Sequence, residues 1–96
     1  MIKKKFIIDG NNFSDLDGFY DEIRRVLTDN FEGFGRNLDA LDDVLEGGFG
    51  KFDEYENIIL IWKNFDKSKK ELKPEILKKL VEILKYHKNI EFKIEK

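Results

Sequence analysis

Four carboxylates fall within one short segment of this 96-residue chain, at Asp39, Asp42, Asp43 and Glu46. On a helical wheel of about 100° per residue, the leucines at 38, 41 and 45 share one side and the carboxylates cluster on the adjoining face. The spacing therefore predicts an amphipathic helix whose apolar side packs inward. Its outer face would carry four negative charges in a row.

Folding alone does not require this row of like charges. Asp39 and Asp43 are four residues apart, as are Asp42 and Glu46, and each like-charge pair destabilises a helix by about 0.2–0.5 kcal/mol. The helix dipole favours Asp39 in the first turn but disfavours Glu46 near the carboxyl end. We interpret the row as a binding surface for a basic partner, with an ordinary solvated helix face as the alternative.

Other chemistry is less well supported. The acidic residues have the oxygen ligands that Mg²⁺ or Ca²⁺ prefers, but one exposed helix face lacks the converging loop of a calcium site. His87 is the single histidine. We expect it to stabilise the carboxyl end of a helix rather than to act as a catalytic base. The absence of cysteine excludes a thiol nucleophile, a disulfide and a zinc finger. We expect no enzymatic activity, metal or cofactor; a small metal-dependent hydrolase is the weaker alternative.

Composition indicates one soluble globular domain spanning residues 1–96, because 41% of the residues are hydrophobic and 40% are charged. The initial apolar run is too short for a signal peptide, and we expect a cytoplasmic protein that binds no membrane. The net charge of −2 argues against nucleic-acid binding, which depends on neutralised phosphates. Between Glu32 and Glu56, however, eight acids oppose two bases, so this segment carries −6 and the rest of the chain +4.

The order of elements predicts an α/β fold. The expected elements are a strand over 2–8, a helix capped by Ser14 and running to about Leu27, a helix capped by Asn37 and running to Leu45, a strand over 57–62, a short helix over 64–70, a helix from Pro74 through Leu84 and a strand over 90–94. Strands separated by helices pair in parallel with right-handed crossovers. We therefore expect a two-layer domain whose three-stranded parallel sheet has the order 1-2-3 and carries all helices on one face.

One tension follows from this topology. The unbroken apolar run at 57–62 is typical of a strand covered on both faces. Either the aromatic segment 49–55 wraps round the second face or a dimer covers it; we expect the free chain to be a monomer.

Glycines flank the acidic helix in a quasi-repeat, EGFGR at 32–36 and EGGFGK at 46–51. Glycine lets a backbone turn sharply or approach a partner closely. Plain punctuation of the helix explains these glycines nearly as well.

The run GRNLDAL at 35–41, followed by Asp43, Leu45 and Gly47, and then LIW at 60–62 and FDKS at 65–68, resembles the barstar family. Members of this family inhibit the extracellular ribonuclease barnase. The resemblance extends over nearly the whole chain and implies a three-stranded parallel sheet packed with helices, as the pattern of elements also predicts.

The resemblance further implies a role for individual residues. Asp43 would take the place of an RNA phosphate in the active site of a basic ribonuclease, with Asp39 beside it one turn earlier and Glu82 as a further acid on the last helix. The implied partner-binding surface consists of Asp39, Asp43, Asp42, Glu46, Asn37, Gly47, Phe34, Gly33 and Glu82. A solvated helix acid is an equally good interpretation of Glu82.

Two positions depart from the best-known member of the family. Gly33 stands where that inhibitor has an aromatic residue, and Asp42 where it has a tryptophan. Buried aromatic residues usually anchor an interface, and these two differences change such positions. The resemblance therefore implies that the chain is an inhibitor, but it does not specify which protein the chain inhibits. The alternative partner is another basic toxin or a nucleic-acid-binding protein.

Overall fold

The computed structural model describes residues 3–47, 50–53 and 55–96. The elements are β1 (Lys4–Asp9), a 3-10 turn (Gly10–Asn12), α1 (Leu16–Leu27), α2 (Leu38–Glu46), β2 (Ile58–Lys63), α3 (Phe65–Glu71), α4 (Pro74–Tyr86) and β3 (Ile90–Ile94). The predicted order of strands and helices is confirmed, with most ends displaced by one or two residues. Ile2, at the start of the first predicted strand, lies outside the described residues. No helix in the described ranges is long and apolar enough to span a membrane.

The three strands form one parallel sheet in the order β1-β2-β3. In register, Phe6 lies beside Leu60, and Leu60 beside Phe92. The helical connections between parallel strands provide the crossovers that such pairing requires. The predicted α/β architecture with sheet order 1-2-3 is confirmed.

The helices pack on one face of this sheet. Side chains alternate along a strand, so Ile58, Leu60 and Trp62 point to the same side, and all three are inaccessible to solvent. Residues from all four helices join them in one hydrophobic core, among them Phe19 of α1, Leu41 of α2, Phe65 of α3 and Leu80 of α4. This core fixes where each helix presents its polar side.

The opposite face of the sheet carries Ile7, Ile59 and Ile61, none of which is part of the hydrophobic cluster that the helices share. Ile61 is nevertheless 5% exposed. In register it lies between Ile7 and Lys93, whose aliphatic stem can shield an apolar neighbour.

The expectation that the aromatic segment 49–55 covers this second face is wrong for the residues that the structure describes. Phe52 is buried, but its ring lies 5.8 Å from that of Phe6, and Phe6 packs against the core. Tyr55 is 87% exposed. Phe49 lies outside the described residues. Phe52 is instead part of the hydrophobic core.

The amino-terminal cap of α1 is Asp15, not Ser14 as predicted. The backbone of Asp15 is extended, and its Oδ1 accepts a hydrogen bond from the N–H of Gly18 at 2.7 Å. A carboxylate in this position also interacts favourably with the helix dipole. Ser14 instead lies 3.5 Å, oxygen to nitrogen, from the ammonium group of Lys67.

Candidate partner-binding surface

Both ends of α2 are defined by local chemistry. Asn37 has an extended backbone, and its Oδ1 accepts a hydrogen bond from the N–H of Ala40 at 2.7 Å, which confirms the predicted cap. Gly47 ends the helix with a φ of 92°, a conformation that favours glycine. Its N–H donates to the carbonyl of Val44 at 3.1 Å. The helix therefore begins where the sequence predicts and ends at Glu46, one residue beyond the predicted Leu45. Gly48 lies outside the described residues.

Three carboxylates of α2 face solvent. Asp39, Asp43 and Glu46 are exposed, whereas Leu41, Val44 and Leu45 are buried. Nowhere in ranges 3–47, 50–53 and 55–96 does a lysine or arginine form an ion pair with any of these three acids. Within the described part of the chain, no lysine or arginine therefore neutralises their charges at close range.

Asp42 does not belong to this outward row. Its side chain is 43% exposed, and its Oδ1 lies 2.9 Å from Nε2 of His87. The prediction that four carboxylates share the outer face of α2 thus needs correction for Asp42. Asp42 lies about 100° round the helix from buried Leu41, on the flank towards α4, whereas Asp43 lies about 200° from it. His87 follows the last residue of α4, but its ring pairs with Asp42 rather than only favouring the helix end, as we expected.

The other flank of α2 faces the loop that precedes it. A cavity of about 100 Å³ is lined by Phe31, Gly33, Phe34, Gly35, Ala40, Asp43 and Val44. The structure therefore brings together Gly33, Phe34 and Asp43, three of the predicted site residues. Phe34 is half-buried and packs edge-on against Tyr20, with ring centroids 6.4 Å apart.

Sequence reasoning missed Phe31. This side chain is 47% exposed, and its ring lies over Gly33, where an added Cβ would meet the Phe31 Cζ at 2.5 Å. A larger residue at position 33 would displace the ring. The only hint in the sequence was that Phe31 lies two residues before a glycine. This spacing is too common to identify Phe31 as a site residue.

Arg36, at the end of the loop that precedes α2, forms an ion pair with Asp21. Arg36 donates from Nη2 to Oδ1 of Asp21 at 2.6 Å, and this hydrogen bond raises the pKa of Arg36. Asp21 lies on α1, so the pair joins the loop to that helix. It also offsets the one positive charge next to the amino end of α2.

The second half of the glycine quasi-repeat has a structural explanation. A Cβ added to Gly50 would lie 2.2 Å from the carbonyl oxygen of Leu27 and 2.8 Å from Cα of Thr28. The next residue, Lys51, donates its N–H to the same Leu27 carbonyl at 3.1 Å. Glycine at position 50 is therefore required for the chain to pass the end of α1.

Glu82 lies on α4 and does not line the cavity beside Asp43. Glu82 is exposed on α4 and lines a groove of about 370 Å³ between α3 and α4, together with Lys69, Lys78, Val81 and Lys85 among others. Among the described residues, this groove and the cavity beside Asp43 have no lining residue in common. Three of the residues that line this groove with Glu82 are lysines, so positive charges share the groove with it.

The site is thus a row of three outward carboxylates beside a small aromatic cavity. Carboxylates accept strong, charge-assisted hydrogen bonds from arginine, lysine and protonated histidine. No group of three acidic, histidine or cysteine side chains within the described ranges is arranged to hold a metal ion. The arrangement can therefore neutralise a cluster of basic side chains on another molecule.

Comparison with known protein families identifies one match, the family described as Barstar (barnase inhibitor), whose model covers residues 3–93. A search of curated proteins finds no match.

Proposed function

The chain belongs to the Barstar (barnase inhibitor) family, and from that premise we propose that it inhibits a basic ribonuclease by covering the active site with α2 and the preceding loop. One observation carries this proposal. Asp39 and Asp43 are exposed on one side of α2, without an ion pair to any lysine or arginine among the described residues. An acidic surface left unneutralised by its own molecule is suited to a basic partner.

The mechanism follows from what a ribonuclease must offer its substrate. RNA carries one negative charge per phosphate, so an active site that binds it presents a cluster of cationic donors. Asp43, at the rim of the aromatic cavity, would occupy the position of a phosphate, and Asp39 would accept hydrogen bonds one turn earlier. Long-range attraction speeds the encounter, and desolvated charge-assisted bonds slow release.

Other predicted contacts have more limited roles in this proposal. Glu46 adds charge at the carboxyl end of the row. Asn37 uses its Oδ1 for the cap, and Gly47 ends the helix, so both shape the surface through the backbone. Glu82 would reach only a partner that extends over α4. As a cytoplasmic monomer, the inhibitor would protect the cell that makes it from a ribonuclease destined for secretion.

A different basic toxin is the second candidate partner. At Gly33, where the best-known inhibitor has its own aromatic side chain, the ring of Phe31 occupies the space that a side chain would need, and Asp42 is held by His87. Both features change the surface that a partner contacts. They favour a partner whose basic site is shaped differently from that of barnase.

The direct test is inhibition of RNA cleavage by barnase, with the purified chain in increasing amounts. We expect stoichiometric inhibition that weakens as the salt concentration rises, because the attraction is screened. A basic toxin without ribonuclease activity that binds the chain, combined with no effect on barnase, would favour the second candidate. No complex with barnase or with any basic ribonuclease tested would overturn the proposal.

A further inference from the structure

His87 is a buried polar side chain to which the proposed function assigns no role. Its side chain is 6% exposed, and its ring meets the edge of Tyr86 with centroids 5.5 Å apart. Nε2 lies 2.9 Å from Oδ1 of Asp42. An ionised carboxylate only accepts hydrogen bonds, so Nε2–H of His87 donates this hydrogen bond and Oδ1 of Asp42 accepts it.

The hydrogen bond between His87 and Asp42 attaches α2 to the end of α4. Within the described part of the chain, it is the only hydrogen bond from a side chain of α2 to another element. The remaining attachment of α2 is apolar, through Leu41, Val44 and Leu45. Apolar burial is non-directional, whereas a hydrogen bond has a preferred distance and angle.

We propose that His87 is the positioning residue of the acidic surface. By holding Asp42 against α4, His87 fixes the rotation of α2 about its own axis. This rotation turns Asp39 and Asp43 outward and keeps Asp43 at the rim of the aromatic cavity. Asp42 then serves the internal contact rather than the partner. Only the use of the surface for binding rests on the proposed function; the positioning itself does not.

Hydrogen exchange tests the positioning without any partner. In His87→Ala, we expect amide exchange across residues 38–46 to become about tenfold faster, as the loss of one hydrogen bond allows, while β2 exchanges as before. Asp42→Leu should have the same effect. His87→Gln and Asp42→Asn retain a donor and an acceptor, respectively, and should restore slow exchange.

A matched control separates positioning from general destabilisation. Ile90→Val removes one methylene from a buried residue of β3 that is 7% exposed and should accelerate the slowest amides throughout the protein. Exchange in His87→Ala that changes uniformly, as in this control, or that does not change at all, would overturn the proposal. So would failure of both conservative variants to restore it.

Binding to barnase tests the consequence for the surface. We expect His87→Ala and Asp42→Leu each to speed dissociation by about tenfold, and the double variant to dissociate no faster than either. Dissociation of His87→Ala at the wild-type rate would overturn the inference while leaving the proposed function intact. If the wild-type chain does not bind barnase, the proposed partner is wrong, and the exchange experiment still decides the role of His87.

Discussion

Asp9 and Asn64 join the carboxyl ends of β1 and β2, because Nδ2 of Asn64 donates a hydrogen bond to Oδ1 of Asp9 at 2.8 Å. Asn64 has a φ of 56°, a left-handed conformation that asparagine adopts more readily than most residues. Oδ1 of Asp9 also accepts from the N–H of Asn11 at 2.9 Å. Two donors therefore converge on one carboxylate at this edge of the sheet.

The carboxylate of Asp9 should make stability depend on pH. The hydrogen bonds from the Asn11 backbone and the Asn64 side chain lower the pKa of Asp9 in the folded protein. A lowered folded pKa contributes stability above the unfolded value of about 3.9, and this contribution is lost as the pH falls through the folded pKa. Asp9→Asn should therefore reduce the free energy of unfolding at neutral pH more than at about pH 2.

Urea unfolding at several pH values measures this difference. Asp29→Asn is the matched control, because Asp29 is exposed and its side chain makes no hydrogen bond within the described residues. A difference between wild type and Asp9→Asn that stays constant across the pH range would contradict the prediction.

Glu22 should be among the residues that stability most requires. Its side chain is 3% exposed; it accepts hydrogen bonds from the N–H of Asp9 at 2.9 Å and from Asn12 at 3.0 Å, and pairs with Arg25 at 3.0 Å. Glu22→Ala leaves the part-buried N–H of Asp9 without its acceptor, and we expect a loss of about 1–3 kcal/mol in the free energy of unfolding. Equilibrium urea unfolding measures it. Exposed Glu75 provides the control, and a change in Glu22→Ala as small as in Glu75→Ala would refute this role.

The fold follows from signals that act over a few residues. The apolar run within β2, the alternation within β3 and the Asn37 cap each depend on near neighbours in the chain, and Pro74 begins α4 as its fixed φ favours. The error at Ser14 is of the same local kind, because two adjacent residues compete for one cap.

The contacts that sequence reasoning missed connect distant segments. Asp42 and His87 are 45 residues apart, and their meeting depends on how α2 packs against α4. In the sequence, nothing distinguishes Glu22 from an ordinary helix acid, yet its partners Asp9 and Asn12 come from outside α1. A helical wheel gives the angle of a side chain on its own helix, but not which element lies beside it.

Gly50→Ala should destabilise the protein. Its added Cβ would lie 2.2 Å from the Leu27 carbonyl, and backbone atoms can yield only by moving the end of α1. We expect a loss of about 1–3 kcal/mol, measured by thermal unfolding. Gly35→Ala is the matched control, since its Cβ would meet only the Asn37 amide at 3.0 Å and Ala40 at 3.5 Å. An equal loss of stability in the two variants would show that the contact with the Leu27 carbonyl does not require glycine at position 50.

Asp39 and Asp43 should dominate binding to a basic ribonuclease. Each faces solvent from α2, and each would leave cationic groups of the partner buried without a counter-charge if it were truncated. We expect Asp39→Ala and Asp43→Ala each to weaken binding to barnase by at least about tenfold. Isothermal titration calorimetry with barnase measures the dissociation constants at fixed salt, and circular dichroism checks that both variants remain folded.

The acid control for this experiment must lie away from α2 and make no side-chain hydrogen bond among the described residues. Asp53 is unsuitable because its Oδ1 accepts a hydrogen bond from the N–H of Tyr55 at 2.9 Å. Asp66 is exposed on α3, so Asp66→Ala removes the same charge from a different face and should change the dissociation constant less than about threefold. Equal weakening by all three substitutions would mean that net charge alone governs binding and that α2 is not the contact surface.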